Sequence, residues 1–223
     1  MKIPNTSDTH AMKSMKLLGK AALISSLLFT ATQQAKADGQ GWDHNFFWSL
    51  WHSGGSASIS FSGANQYAGN FAISFSGVGD VTGGKGWNPG GYRTVNYNAG
   101  SLSGYNAVSV YGWTTSPLVE YYICEFGSVA SGTQVGSFSS DGHNYNVWHH
   151  QQMSQPSIIG TATFWQNIDQ WGGSSTGANH AVNTGNHFNW WNSHNMAIGT
   201  FNYMILSVEA WGGRSGYGNV TVW

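Results

Sequence analysis

The chain has 223 residues, enough for one sizeable hydrophobic core; only 8% of them are charged, 31 are glycine and 12 are tryptophan. So low a charge excludes a coiled coil, and so many aromatic residues exclude a disordered chain. Residues 38–223 hold three Lys or Arg against eight Asp or Glu, a formal charge of −5 with histidine neutral. This balance argues against nucleic acid and anionic membranes as partners and favours an uncharged polysaccharide.

Residues 1–37 have the composition of a secretory signal peptide. Lys13, Lys16 and Lys20 precede an apolar run, AALISSLLFTA at 21–31, and the segment ends in the small-x-small sequence Ala-Lys-Ala. The run is too short to span a bilayer as a helix. We expect cleavage after Ala37 and a secreted protein, although an amphipathic start to the domain remains the alternative. Residues 38–223 show no linker and no internal repeat, which indicates a single domain.

Alternating apolar and polar residues predict strands with one buried face. Five segments show this period: Ser56–Ser62, Asn70–Ser76, Tyr92–Asn98, Ala107–Trp113 and Thr133–Ser139. Glycine pairs are expected to separate strands at 54–55, 83–84, 90–91, 172–173 and 212–213. Many short strands punctuated in this way are typical of an antiparallel sandwich or jelly roll.

One stretch departs from the strand pattern. Apolar residues from Phe188 to Trp191 approach helical spacing, which predicts a short helix over Thr184–Ser193. The single cysteine, Cys124, excludes an internal disulfide, and we interpret it as a small buried side chain in a strand.

Two glutamates lie in apolar or aromatic strands, where a carboxylate is costly unless it is paired or used. Glu120 lies in PLVEYYI and shares a strand face with Tyr122. Glu209 lies in YMILSVEAW and shares a face with Tyr203 and Trp211. Each glutamate alone is also compatible with capping a bulge or pairing with a cation. Together, two carboxyls among aromatic rings favour sugar hydrolysis, in which one acts as an acid and the other as a nucleophile.

Other catalytic motifs are missing from the sequence. The histidines, including His149 and His150, lack metal-ligand spacing with carboxylates or thiolates, and no phosphate loop or dinucleotide fingerprint occurs. We therefore expect neither a metal nor a cofactor.

Several segments resemble glycoside hydrolase family 11, whose members are endo-1,4-β-xylanases. The segment 111–123 (YGWTTSPLVEYYI) is similar to the nucleophile strand, 155–164 (QPSIIGTATF) to the thumb tip and its returning strand, and 203–209 (YMILSVE) to the acid/base strand. Residues 84–87 (GKGW) and 93–100 (RTVNYNAG) and the final NVTVW also fit. The resemblance covers nearly all of residues 42–223.

This resemblance implies an all-β jelly roll of two packed, strongly curved antiparallel sheets, shaped like a partly closed right hand with a thumb loop, and one short α-helix. It implies endo-acting hydrolysis of β-1,4-xylosidic bonds in xylan and xylo-oligosaccharides with retention of configuration. Glu120 is then the nucleophile and Glu209 the general acid/base, with carboxyls about 5–5.5 Å apart. We expect a monomer. The implied substrate-binding residues are Trp51, Tyr111, Trp113, Tyr122, Pro156, Gln166, Tyr203 and Trp211.

The chain departs from the family pattern at several places. Gln152 stands where the family has an arginine before the thumb proline, and Thr115 replaces an arginine of the nucleophile-strand motif. The segment Asn167–Trp171 replaces an aromatic-rich one, and Ala210 replaces a glycine. These changes point to altered substrate affinity and subsite preference.

Asp80 takes the position beside the acid/base where the family carries asparagine or aspartate. An aspartate there implies an acidic activity optimum, which we place below about pH 6 because two interacting carboxyls titrate together. The alternative is that Asp80 caps a turn after Gly79. Two other functions also remain open: a related β-1,4-glucanase, and a non-catalytic carbohydrate-binding domain.

Overall fold

The computed structural model describes residues 38–62 and 68–223, so the predicted signal peptide lies outside the described residues. The described residues form twelve strands and one helix. In chain order they are β1 Gly39–Asp43, β2 Phe46–Ser53, β3 Ser56–Ser60, β4 Asn70–Trp87, β5 Thr94–Ser103, β6 Ala107–Thr115, β7 Val119–Gly127, β8 Thr133–Ser140, β9 His143–Ser157, β10 Gly160–Gln170, β11 Asn179–Asn183, α1 Thr184–Ser193 and β12 Thr200–Val222.

The strands pair in the order β1-β2-β4-β12-β6-β7-β10-β9-β8, with β3 beside β4, and with β5 between β12 and β11. The two longest strands, β4 with 18 residues and β12 with 23, each contribute to two layers. The first part of β4 pairs with β3 and the second with β2. The first part of β12 pairs with β6 and its end with β5. The sheet therefore folds over itself into a jelly roll, which confirms the predicted fold class.

The main hydrophobic core lies between the two layers. Ile73 of β4, Val110 of β6, Ile123 of β7 and Leu206 of β12 are at most 1% exposed and belong to one cluster. Side chains of this size contribute about 1.5–3 kcal/mol each when fully buried. Since alternate residues along each strand face the core, the intervening residues of β12, β6 and β7 are left for the opposite face.

The five predicted strand segments all lie in strands, with shifts of two residues at two ends: β3 stops at Ser60 and β5 starts at Thr94. The glycine pair 83–84 was wrongly expected to separate strands, because it lies inside β4. A Cβ at Gly84 would stand 1.9 Å from the carbonyl oxygen of Leu206 on β12. Glycine is required there by the close approach of the neighbouring backbone rather than by a turn.

The pair 212–213 was also wrongly expected to separate strands, since it lies inside β12. Gly212 and Gly213 have φ angles of 77° and 80°, and the register with β4 shifts between Trp211 and Arg214. The pair therefore forms an irregularity that re-aims the strand as it passes from one layer to the other.

The predicted bounds of the helix, Thr184–Ser193, are confirmed. The side chain of Asn183 caps its start by accepting a hydrogen bond from the Gly185 amide at 3.0 Å. Phe188 and Trp191 are buried against the core, and the Trp191 indole donates to Asp169 of β10 at 2.9 Å. Within the part of the chain that the structure describes, no helix is long and apolar enough to cross a membrane.

Candidate active site

A cleft of about 1360 Å3 is lined by side chains of β1, β2, β4, β6, β7, β9, β10 and β12. These side chains alternate with those that fill the core, such as Val208 beside Glu209. All of the predicted site residues line the cleft: Trp51, Asp80, Tyr111, Trp113, Glu120, Tyr122, Pro156, Gln166, Tyr203, Glu209 and Trp211. The chain thus brings together residues that are as far apart in sequence as Trp51 and Trp211.

Glu120 of β7 is buried and accepts three hydrogen bonds. The hydroxyls of Tyr111 and Tyr122 donate to its Oε1 at 2.8 and 3.0 Å, and the amide of Gln166 donates to its Oε2 at 2.7 Å. Burial raises the pKa of Glu120, whereas these three donors lower it. Because the donors stabilise the ionised form, this carboxyl is prepared to act as a carboxylate.

Glu209 of β12 has a different environment. Its side chain is also buried, but its Oε2 has no hydrogen-bond partner among the described residues. Burial, followed by the negative charges of Asp80 and Glu120, raises the pKa of Glu209 well above its ordinary value. The surroundings of Glu209 therefore favour its protonated form, as a general acid requires.

Asp80 lies beside Glu209 across the β4–β12 ladder, in which Glu209 pairs with Thr82 and Trp211 pairs with Asp80. The two carboxyls occupy diagonal positions on the same face of neighbouring strands. Burial raises the pKa of Asp80 to about 6, although the Val81 amide partly opposes the shift. Its Oδ1 lacks a hydrogen-bond partner among the described residues. The alternative role for Asp80 was to cap a turn. A cap of this kind does not account for Oδ1, which accepts no hydrogen bond from the described residues.

Aromatic side chains form the cleft floor around the carboxyls. The Trp113 indole donates to the Tyr111 hydroxyl at 2.7 Å, which orients the tyrosine that binds Glu120. The rings of Trp113 and Phe164 lie 4.8 Å apart, and those of Tyr111 and Tyr203 lie 6.1 Å apart. Trp51 lines the cleft half-buried, and Trp211 is 36% exposed. Exposed aromatic faces of this kind can stack on the apolar faces of sugar rings.

A long hairpin between β9 and β10, which we call the thumb hairpin (residues 152–164), borders the cleft. Ser157 pairs with Gly160 next to its tip, and Pro156 pairs with Thr161. Gln152 donates to Gln166 at 3.3 Å, and Gln166 in turn binds Glu120. Gln152, which stands where the resembled family has an arginine, is thus linked to the buried Glu120 by two hydrogen bonds through Gln166.

Sequence reasoning missed several polar residues of the cleft, among them Asp38, Gln40, Ser49 and Asn202. Ser49 could have been found, because it lies two residues before Trp51 and shares its strand face. Asp38 and Gln40 could not, since they enter the cleft only through the pairing of β1 with β2.

The third glutamate of residues 38–223, Glu125, lies outside the cleft. It follows Glu120 by five residues and faces the core, where it accepts hydrogen bonds from Tyr145 at 2.8 Å and Tyr97 at 2.9 Å. Residues separated by an odd number of positions along a strand have side chains on opposite faces. Simple alternation therefore accounts for Glu120 facing the cleft and Glu125 facing the core.

The model of the family described as "Glycosyl hydrolases family 11" matches residues 43–221. The chain belongs to this family. Across residues 38–62 and 68–223, no group of three or more His, Cys, Asp or Glu side chains is arranged to hold a metal ion.

Similar proteins with known names support the assignment. The chain is 41% identical over 206 residues to "Endo-1,4-beta-xylanase B" of Penicillium oxalicum, covering 87% of this chain and 64% of that protein. It is 42% identical over 189 residues to "Ethylene-inducing xylanase" of Penicillium digitatum, covering 82% and 84%. The chain spans about two thirds of the length of the first of these relatives.

The chain is also similar to a solved structure, described as a structural comparison of two major endo-1,4-β-xylanases from Trichoderma reesei. The TM-score is 0.68 and the sequence identity is 36%. The match covers 82% of this chain and 98% of the other. A likeness of this extent shows that the jelly roll described above is the fold of the family.

Proposed function

We propose that this chain is an endo-acting β-1,4-xylanase that works by retaining double displacement, with Glu120 as nucleophile and Glu209 as general acid/base. The observation that carries the proposal is the contrast between two buried carboxyls in one cleft. Three donors stabilise Glu120 as a carboxylate, whereas Oε2 of Glu209 has no hydrogen-bond partner among the described residues and the neighbouring carboxyls raise the pKa of Glu209 further. Pairs of carboxyls whose environments separate their pKa values divide the roles of nucleophile and acid.

In the first step, an oxygen of Glu120 attacks the anomeric carbon, and Glu209 gives its proton to the departing glycosidic oxygen. The result is a glycosyl ester on Glu120 and an ionised Glu209. In the second step, Glu209 takes a proton from water, and the water oxygen attacks the anomeric carbon and releases Glu120. Two inversions at one carbon give net retention.

Xylan as substrate is supported by the names of the relatives and by the form of the cleft. Its volume of about 1360 Å3 exceeds that of a pocket for one small molecule and leaves room for several sugar residues. Aromatic side chains from Trp51 to Trp211 along the lining suit a chain of uncharged rings. A cleft with room for several sugar residues is consistent with cleavage inside a polymer chain.

The test is hydrolysis of xylohexaose and cellohexaose by the purified protein, with the anomeric form of the first products followed by proton NMR. We expect xylohexaose to be cut internally, with initial products in the β configuration. Preferred cleavage of cellohexaose would indicate the glucanase, and binding without release of reducing ends would indicate the carbohydrate-binding domain. Initial products in the α configuration would contradict retention.

The roles of the two glutamates are tested by Glu120→Gln and Glu209→Gln. We expect Glu120→Gln to abolish formation of the glycosyl-enzyme, because the amide is isosteric but not nucleophilic. Glu209→Gln should impair the first step less for substrates with good leaving groups, which need little acid catalysis. Glu125→Gln makes the same change at a buried glutamate outside the cleft, so it is the control once its fold is verified. Near-normal xylan hydrolysis by either cleft variant would contradict the assignment.

We also propose that residues 1–37 direct secretion and are then removed. The mass of the protein recovered from the medium should correspond to a chain that begins at Asp38. Light scattering of that protein should give the mass of a monomer, and a dimer mass would contradict this expectation.

A further inference from the structure

Two pairs of stacked rings lie on the face of β8, β9 and β10 that is turned away from the cleft. His149 of β9 stacks on Trp165 of β10, with ring centroids 4.2 Å apart and an interplanar angle of 6°. At the end of α1, Trp190 stacks on His194 with a centroid distance of 3.8 Å and an angle of 10°. None of these four residues lines the cleft, so the proposed hydrolysis does not use them.

Alternation along the strands places the first pair on the side of the core. Trp165 precedes Gln166, whose side chain reaches Glu120 in the cleft, so Trp165 points the other way. His149 follows the core residue Val147 by two positions and shares its face. The core face of β9 and β10 thus continues to a place where its rings meet solvent, since Trp165 is 41% exposed.

The second pair lies next to the first across β8. Trp190 packs on Gly136, where a Cβ would stand 2.9 Å from the indole Cζ2. Gly136 pairs with Val147, one strand away from it and two residues before His149. Strand geometry therefore puts the Cα atoms of Gly136 and His149 about 8 Å apart. The two pairs form one surface, which we call the ring platform. It consists of His149, Trp165, Trp190 and His194.

The elements that carry the ring platform contain almost no charged residues. Asp, Glu, Lys and Arg are absent from β8, β9 and α1, and β10 contains only Asp169, which is 0% exposed. Such a surface offers nothing for the steering of a charged partner such as nucleic acid. Rings fixed by stacking lose little freedom on binding. Beside them Gln151, which pairs with Trp165, presents an exposed amide that can hydrogen-bond a sugar hydroxyl.

We infer that the ring platform is a second binding site for an uncharged polysaccharide, remote from the cleft, and that it keeps the protein on the polymer between cuts. The choice of xylan as that polysaccharide rests on the proposed function, whereas binding at the platform involves no reacting atom. Two sites on one body raise the local concentration of chain segments at the cleft, so only polymers long enough to reach both sites benefit. The competing occupant is a second copy of this chain.

The test is adsorption of the purified protein to insoluble xylan in the cold, measured as depletion from solution. Trp165→Ala and Trp190→Ala should each weaken adsorption about three- to tenfold, the effect of one aromatic contact. Trp223→Ala is the matched control, because Trp223 is 42% exposed and lies outside both the platform and the cleft lining. It should leave adsorption as it is, and Trp165→Phe, which keeps a ring, should recover most of the loss.

Hydrolysis separates the platform from the cleft. Both platform variants should be slower on insoluble xylan, whereas kcat/KM on xylohexaose, which is too short to occupy both sites, should stay the same and report an intact fold. Unchanged adsorption in both variants, an equal loss in Trp223→Ala, or an equal loss of kcat/KM on xylohexaose would overturn the inference. A wild-type dimer that the platform variants convert to monomers would also overturn it, in favour of a second copy as occupant. Failure of the wild type to cut xylohexaose would contradict the proposed function alone, because adsorption is measured independently.

Discussion

Replacement of Asp80 by asparagine removes one of the two interacting carboxyls of the cleft and preserves the size of the side chain. In the structure, Asp80 Oδ1 and Glu209 Oε2 are both buried without hydrogen-bond partners among the described residues. Burial raises the pKa of Asp80 to about 6, and the pKa of Glu209 lies well above its ordinary value. As the pH rises, the pair therefore loses its first proton near pH 6.

An ionised Asp80 makes Glu209 a poorer acid, because the adjacent negative charge strengthens its hold on the proton. The activity of the unmodified protein should therefore fall as the pH rises through about 6, with an optimum below that value. In Asp80→Asn the alkaline limb of the pH–rate profile depends on Glu209 alone. Burial, the main cause of the raised pKa of Glu209, is unchanged in this variant. We expect the pH optimum to move upward by about one unit. A shift of one unit corresponds to a change of roughly 1.4 kcal/mol in the free energy of proton dissociation.

The same carboxyl should also affect stability. Its pKa is 3.8 in the absence of burial and about 6 in the folded protein, so ionisation of the folded protein costs about 3 kcal/mol at most. The cost is absent below pH 3.8, where the carboxyl is protonated in both states, and it is complete above about pH 6. Relative to the unmodified protein, Asp80→Asn should therefore gain stability progressively between these two values.

The assays are kcat/KM on a soluble xylan and the free energy of unfolding in urea, each measured from pH 3.5 to 8 for both proteins. Asp141→Asn, which removes a carboxylate outside the cleft lining, is the control for stability. A wild-type optimum at or above neutrality, or superimposable pH–rate curves, would show that Asp80 does not influence Glu209. A stability difference that stays constant with pH would refute the raised pKa itself.

Gln152→Arg should lower the KM for short xylo-oligosaccharides with less change on polymeric xylan, because arginine adds a fixed fork of donors next to Gln166; an unchanged or raised KM on steady-state assay would contradict this. Gln166→Leu removes the donor that lowers the pKa of Glu120, so the acid limb of the kcat/KM profile should move to higher pH. Asp169→Ala should lower the free energy of unfolding by about 3–5 kcal/mol, since it leaves the buried His187 without its carboxylate partner. Denaturant titration measures this loss, and a change below about 1 kcal/mol would contradict it.

The local elements of this fold could be predicted from the sequence because their signals are local. Alternation along Ala107–Trp113 arises from the pleat of a single strand, and β6 contains this segment. The change to helical spacing near Phe188 predicted the bounds of α1. Alternation also placed Glu209 on the face opposite Val208, and Val208 is in the core. The resemblance of whole segments to a family favoured the jelly roll, whereas periodicity alone did not decide between an antiparallel sandwich and a jelly roll.

The interior glycines were misinterpreted because their cause is not local. Gly84 lies within β4, and what requires it is the backbone of Leu206, more than one hundred residues further along the chain. The same reasoning explains why the role of Asp38 was missed: it enters the cleft only because β1 pairs with β2 at the edge of the sheet. A sequence pattern describes what a strand faces along its own length, but not which strand approaches it from the side.

The sequence alone identified Glu120 and Glu209 as the candidate catalytic pair, because a carboxylate among aromatic strand residues is costly unless it is paired or used. Only the tertiary structure decided how each glutamate is tuned. Glu120 meets its donors because β7 lies between β6, which carries Tyr111, and β10, which carries Gln166. Glu209 meets Asp80 because β12 lies beside β4. A pKa depends on neighbours in space, and the order of strands in the sheet, which no local pattern records, brings these neighbours together.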